Sequence, residues 1–224
     1  MDREEFEYYR NHFPYVACAA HLNENVWKRD EFVKHFSREK IADMTIDEYV
    51  VGYGDKTTFC YGLLRGLIHF GNIASAFPTA FGVYYNKKER RYVPDKTRWD
   101  NPDVAFADMK ASILDLLDAG EKEMLDDLAS NPINAMVKGK ILTTYFPNRY
   151  LSICATTHLD YYMKAYGLYN TSTKGLDPVY KRELLIDLKN NDPIMKDWTL
   201  DQLAYFMWGV YPKAPNRQLH KGLA

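Results

Sequence analysis

The sequence predicts an α+β fold: a mainly helical single domain with a small antiparallel hairpin near residues 81–93 and a further strand candidate at 150–154. Three observations lead there. Apolar residues recur at helical spacing through most of the 224-residue chain. Prolines, glycines and capping side chains punctuate those runs. Only "AFGVYYNKKERRYV" changes period, with β-prone runs on either side of "NKKE".

The elements follow in order. Phe6, Tyr9 and Phe13 place a helix over residues 2–13, closed by Pro14, and a second helical stretch covers about 24–36. Thr45 followed by Glu48 has the capping-box pattern, so a short helix starts there. Phe59, Leu63, Leu67 and Phe70 share one helical face that ends at Gly71. The hairpin comes next, with strands near 81–85 and 90–93. Asp100, Asn101 and Pro102 open a helix whose buried stripe is Phe106, Met109, Ile113, Leu116 and Leu117. Asn131 and Pro132 repeat that signal for a helix running to about Tyr145, which Pro147 ends. A helix from Thr157 carries Leu159, Tyr162, Met163 and Tyr166 and stops at Gly167, and Asp177 with Pro178, then Thr199 with Gln202, begin the last two. The expected organisation is one globular domain over 1–211: a helical segment 1–43, a core 44–168 and C-terminal helices 177–211. The stretch 212–224 reads as a linker.

Composition narrows the function classes. Apolar residues make up 46% and charged residues 26%, enough to bury a substantial core. No apolar run approaches the ~20 residues of a membrane span, and no signal-peptide pattern opens the chain. Three widely spaced cysteines, Cys18, Cys60 and Cys154, point to a reducing compartment, so the cytoplasm is expected. Aromatic residues reach 15%, with eighteen tyrosines. A ring with a polar tip suits both core margins and contact surfaces.

Net charge is only −1, but its distribution is uneven. Lys87, Lys88, Arg90, Arg91, Lys96 and Arg98 face Glu89 and Asp95 alone, and residues 138–174 are basic again, whereas 100–130 is acidic. Cations beside tyrosines are the pattern that tracks a phosphate backbone and stacks on bases. In the hairpin Tyr84 and Tyr85 lie on opposite faces, so one is expected beside those cations. In "KGKILTTYFPNRYLSI" the apolar positions Val137, Ile141, Leu142, Tyr145 and Phe146 make a buried helical face, while Lys138 and Lys140 are about 200° apart. One of the two, taken as Lys138, can share a surface with the hairpin, and Arg149 and Tyr150 follow the proline. The candidate DNA-binding residues are therefore Lys87, Lys88, Arg90, Arg91, Lys138, Arg149, Tyr84, Tyr85 and Tyr150.

Catalytic signals are absent from the sequence. Gly52-Tyr53-Gly54-Asp55-Lys56-Thr57 lacks the glycine spacing of a phosphate loop. The six histidines have no metal-ligand spacing, and no G-x-S-x-G elbow occurs. No catalytic residue, metal ligand or cofactor is assigned.

Three blocks, "MTIDEYVVGYGDKTTFCYGL", "FGVYYNKKERRYV" and "NPINAMVKGKILTTYFPNRYLSICATTHLDYYMKAYGL", together resemble an N-terminal region of some bacterial McrB-type restriction proteins. The similarity covers roughly 44–168. What it implies is a target-recognition module that binds DNA, in some cases at a modified base. Its implied partners are an AAA+ GTPase domain, in the same or an associated chain, and a separate nuclease subunit. The expectation is a non-catalytic specificity module of such a defence system. Two alternatives stay open: a protein-interaction or assembly domain, and a small metal-dependent enzyme.

Overall fold

The computed structural model describes residues 3–210, so the stretch read as a linker, 212–224, lies outside the described residues. The fold is mainly helical with one two-stranded antiparallel sheet, as the sequence predicts. Helices α1 (Arg3–Asn11) and α2 (Tyr15–His35) meet at Pro14. The second starts about nine residues earlier than its apolar periodicity indicates. Its buried stripe is Cys18, Leu22, Asn25, Arg29 and Phe32, a regular three-four spacing in which two positions are polar. A hydrophobicity pattern cannot see those two.

Short helices α3 (Arg38–Asp43) and α4 (Ile46–Tyr49) follow. The second has the expected box, with Thr45 Oγ1 accepting from Glu48 N and the Glu48 carboxylate accepting from Thr45 N. The single helix expected over 59–70 is broken. It becomes α5 (Phe59–Tyr61), then a wide π-helical turn at Gly62–Gly66 in which Leu67 N donates to Gly62 O at 3.0 Å. Two glycines four apart make the α-form expensive here. Gly62 also has no room for a side chain, since a Cβ would lie 2.5 Å from the Phe32 ring.

Strands β1 (Val83–Asn86) and β2 (Arg91–Pro94) form the hairpin, with Tyr84 opposite Val93 and Tyr85 opposite Tyr92. Helix α6 (Pro102–Glu121) packs beside it, capped by Asn101, whose side chain accepts from Asp103 N and Val104 N. After α7 (Leu125–Ser130), the next helix, α8 (Ala135–Tyr145), takes Asn134 as its cap and not Asn131. The last elements are α9 (Thr156–Ala165), α10 (Pro178–Asn191) and α11 (Leu200–Val210). Asp177 caps α10, and Thr199 with Gln202 closes a reciprocal box on α11.

The strand candidate at 150–154 is not a strand. Residues 150–154 are buried, but side chains take the place of a pairing partner: Arg182 donates from Nε to Ile153 O at 3.0 Å and from Nη2 to Cys154 O at 3.3 Å. This segment runs between two apolar cores. One gathers α2 through α8 with the hairpin, and the other holds Leu151, Ile153 and helices α9 to α11 with Phe6 and Phe13. A buried ion pair, Arg29 to Asp201 at 2.7 Å, ties α2 to α11. Among the described residues no helix is long and apolar enough to cross a membrane.

Candidate nucleic-acid interface

The hairpin turn is built by Asn86. Its Oδ1 accepts from Lys88 N at 3.0 Å and Glu89 N at 3.3 Å, which closes the four-residue loop 87–90 and places Arg90 at φ 52°. Glu89 is turned inward on the loop, accepting from Asn86 Nδ2 at 3.0 Å and Arg91 Nε at 2.6 Å. Arg91 is thereby neutralised. Lys87, Lys88 and Arg90 are exposed, and among the described residues no carboxylate pairs with them.

Tyr84 and Tyr85 do lie on opposite faces of β1, and both are half-buried. The Tyr85 ring meets Tyr53 edge-on at 4.7 Å and Tyr92 at 5.3 Å, and Tyr92 donates its hydroxyl to Asp47. The most open ring of this trio is Tyr53, 50% exposed, which the sequence pattern does not single out. It belongs to the loop 52–58, which runs along β1. Tyr85 N donates to Val51 O at 2.9 Å, and Gly52 at φ 105° lies so close that a Cβ would be 2.2 Å from Tyr85 O. Gly54 comes next to the Lys87 ammonium. The glycines of "GYGD" are thus a fitting between loop and strand.

The second half of the expected surface does not form. Lys138 is 3% exposed, and its Nζ donates to Leu128 O at 2.7 Å and Ala129 O at 3.0 Å, closing the C-terminal end of α7. Burial lowers its pKa. Tyr150 is 2% exposed, donates to Gly120 O at 2.8 Å, and is pushed up to about 12 by burial. Arg149 is held in a bidentate pair with Glu183 at 2.8 Å and by Glu123 at 2.8 Å, with its guanidinium 4.9 Å over the Tyr150 ring. These three residues are scaffold, so the candidate surface contracts to the hairpin and its loop.

The loop leads to a feature that apolar periodicity hides. Between α2 and residues 56–67 lies an open groove of about 910 Å³. Its floor is Phe32, Phe36, Leu67 and the bare backbone of Gly62 and Gly66. Its rim carries Lys28, Lys34, Lys56 and His35 against Glu31, and Trp27 lines one wall at 55% exposure. Lys28 donates to Asn25 Oδ1 at 2.9 Å and lies 5.7 Å from the centre of the Trp27 ring. The loop is ordered by Asp55, whose Oδ1 accepts from Thr57 N and Thr57 Oγ1 at 2.7 and 2.6 Å.

Family models, curated proteins and solved structures gave no match to this chain. Among the described residues no three His, Cys, Asp or Glu side chains gather as a metal cage would require. The cysteines are buried and unpaired, with burial raising the pKa of each. A thiol held protonated by an apolar surrounding is a poor nucleophile.

Proposed function

We propose that this protein is a non-catalytic DNA-binding specificity module of a McrB-type, modification-directed defence system. It works in the cytoplasm beside an AAA+ GTPase and a nuclease subunit. The resemblance of residues 44–168 supports the class. The observation that carries the binding itself is the hairpin tip: Lys87, Lys88 and Arg90 project next to the exposed Tyr53 ring, without acidic partners among the described residues. An ordered turn holding three cations at one point meets a phosphate backbone with little reorganisation, and a nearby ring supplies base contact.

The test is a salt titration. Labelled duplexes, with and without a modified base, are bound at several salt concentrations. Three phosphate contacts give a log–log slope of about −2.7 on duplex DNA. The triple variant Lys87→Glu, Lys88→Glu, Arg90→Glu is expected to lose duplex binding at every salt concentration. Absence of binding at low salt on every duplex, or binding indifferent to the triple variant, overturns the proposal.

A second reading, a protein-interaction module, is favoured by a different patch. Tyr8, Tyr15 and Val16 project from the α1–α2 corner as exposed apolar groups. It requires an assembly that survives ~0.5 M salt, where exposed charges are screened.

A further inference from the structure

We propose that the groove between α2 and residues 56–67 is a nucleotide-binding site. In it a base stacks on Trp27 and its phosphate is held by Lys56 together with Lys28 or Lys34. This rests on the DNA-binding reading for the source of the nucleotide but not for the chemistry of the site.

Four features of the groove converge on that ligand. Three lysines face one glutamate, so the occupant carries negative charge. The floor offers no charged side chain, only Phe32, Phe36, Leu67 and glycine backbone, so part of the occupant is apolar. Trp27 exposes a broad indole face on the wall of an otherwise cationic rim, and stacking on a planar group is what such a face provides. A flat apolar ring joined to an anion is the chemistry of a nucleotide. Finally, one loop serves both the groove and the hairpin: the segment carrying Lys56 and Thr57 also carries Gly52 and Gly54, which abut Tyr85 and Lys87. A strand whose backbone crosses the hairpin tip meets the groove along the same loop.

Glycine keeps the groove open. At Gly66 an added Cβ would meet nothing within 4 Å, and its backbone is not in the left-handed region. A large side chain there occupies the groove without disturbing the core. Gly66→Leu is therefore a plug, and Trp27→Phe and Trp27→Ala are exposed substitutions that leave the fold intact.

The experiment uses tryptophan fluorescence of the whole chain titrated with deoxymononucleotides, deoxyribose 5-phosphate and a short single-stranded oligonucleotide. The expected result is quenching by mononucleotide and oligonucleotide, and none by the sugar phosphate. Trp27→Phe removes the quench. Trp27→Ala, followed by competition, weakens binding about 5- to 150-fold, the worth of one stacked base. Gly66→Leu abolishes the mononucleotide response. Tighter binding of the oligonucleotide that falls to mononucleotide strength in the hairpin triple variant shows that the nucleotide arrives within a strand. Equal affinity in both shows a free nucleotide. Quenching that persists in Gly66→Leu, or no Trp27-dependent response at millimolar nucleotide, overturns the site. The two ideas fail separately. If duplex binding depends on the hairpin but ignores Trp27 and Gly66, only the groove proposal falls. If mononucleotides bind but no DNA does, the DNA reading falls and the groove stands.

Discussion

Lys140→Met is expected to lower the stability of this protein by about 3 kcal/mol, with Tm falling about 6–12 °C for a chain of this size. Lys140 is completely buried in α8, and its ammonium donates to Leu67 O at 2.5 Å, Phe70 O at 2.7 Å and Gly71 O at 2.9 Å. All three N–H groups are used. The carbonyls belong to the segment that leaves the π-helical turn, where regular helical hydrogen bonding ends. Leu67 O also accepts from Phe70 N, whereas among the described residues Phe70 O and Gly71 O depend on Lys140. Methionine fills the space but satisfies nothing, at a cost of about 1–3 kcal/mol per orphaned carbonyl, partly offset because no ammonium is then desolvated.

Titration gives an independent check. Burial lowers Lys140 to about 8 from its ordinary 10.5. Between those values the unfolded chain binds more protons than the folded one, so this residue makes stability rise with pH over that window. Below about pH 8 both states are protonated and the contribution is flat. Buried cysteines and tyrosines, whose pKa values burial raises, pull the opposite way at alkaline pH. The wild type minus variant difference cancels them. Urea melts from pH 7 to 10.5 should show that difference widening with pH; a constant difference would mean that Lys140 keeps its ordinary pKa.

The same lysine shows where sequence reading ended. Apolar periodicity located α6, α8 and α9, and capping residues located the starts of α4, α10 and α11, because both signals are local. The hairpin was legible from its period change and its turn. Long-range polar closure was not. Lys138 is expected on the surface and Lys140 is given no role, because a lysine is rarely buried, yet each is pinned by backbone carbonyls. Arg149 read as free because Glu123 and Glu183 are 26 and 34 residues away in the chain. The groove was hidden for a related reason. Lys28, Lys34 and Trp27 belong to the outward face of α2, and only folding brings Lys56 and two glycines opposite them. The hairpin cations stood out in the sequence because a tight turn keeps neighbours in sequence neighbours in space.

Gly139→Ala is expected to destabilise the protein by about 3 kcal/mol, although alanine is by itself the better helix former by about 1 kcal/mol. Gly139 sits in α8 between the two buried lysines, and a Cβ there would lie 2.1 Å from Arg182 Nη2 and 2.8 Å from its Cζ. The guanidinium cannot retreat cheaply. It is fully buried, its Nε and Nη2 hold Ile153 O and Cys154 O, and Nη1 has no partner among the described residues. Burial lowers its pKa, since no carboxylate forms a salt bridge with it among the described residues. Moving it would strip the 150–154 segment of the donors that replace a strand partner, and this segment joins the two cores. The two side chains are therefore coupled. Arg182→Leu on its own orphans the two carbonyls but also removes a buried charge, a change that costs less than breaking a matched pair. With the guanidinium gone, the alanine methyl is left with Cys154 Cα at 3.4 Å, an ordinary contact, and its helix preference is recovered. Equilibrium urea melts of both single variants and the double variant should give a coupling energy of about 4 kcal/mol in favour of the double, the lost clash plus the recovered helix preference. Additivity within ~0.5 kcal/mol would mean that Gly139 is required by something other than Arg182.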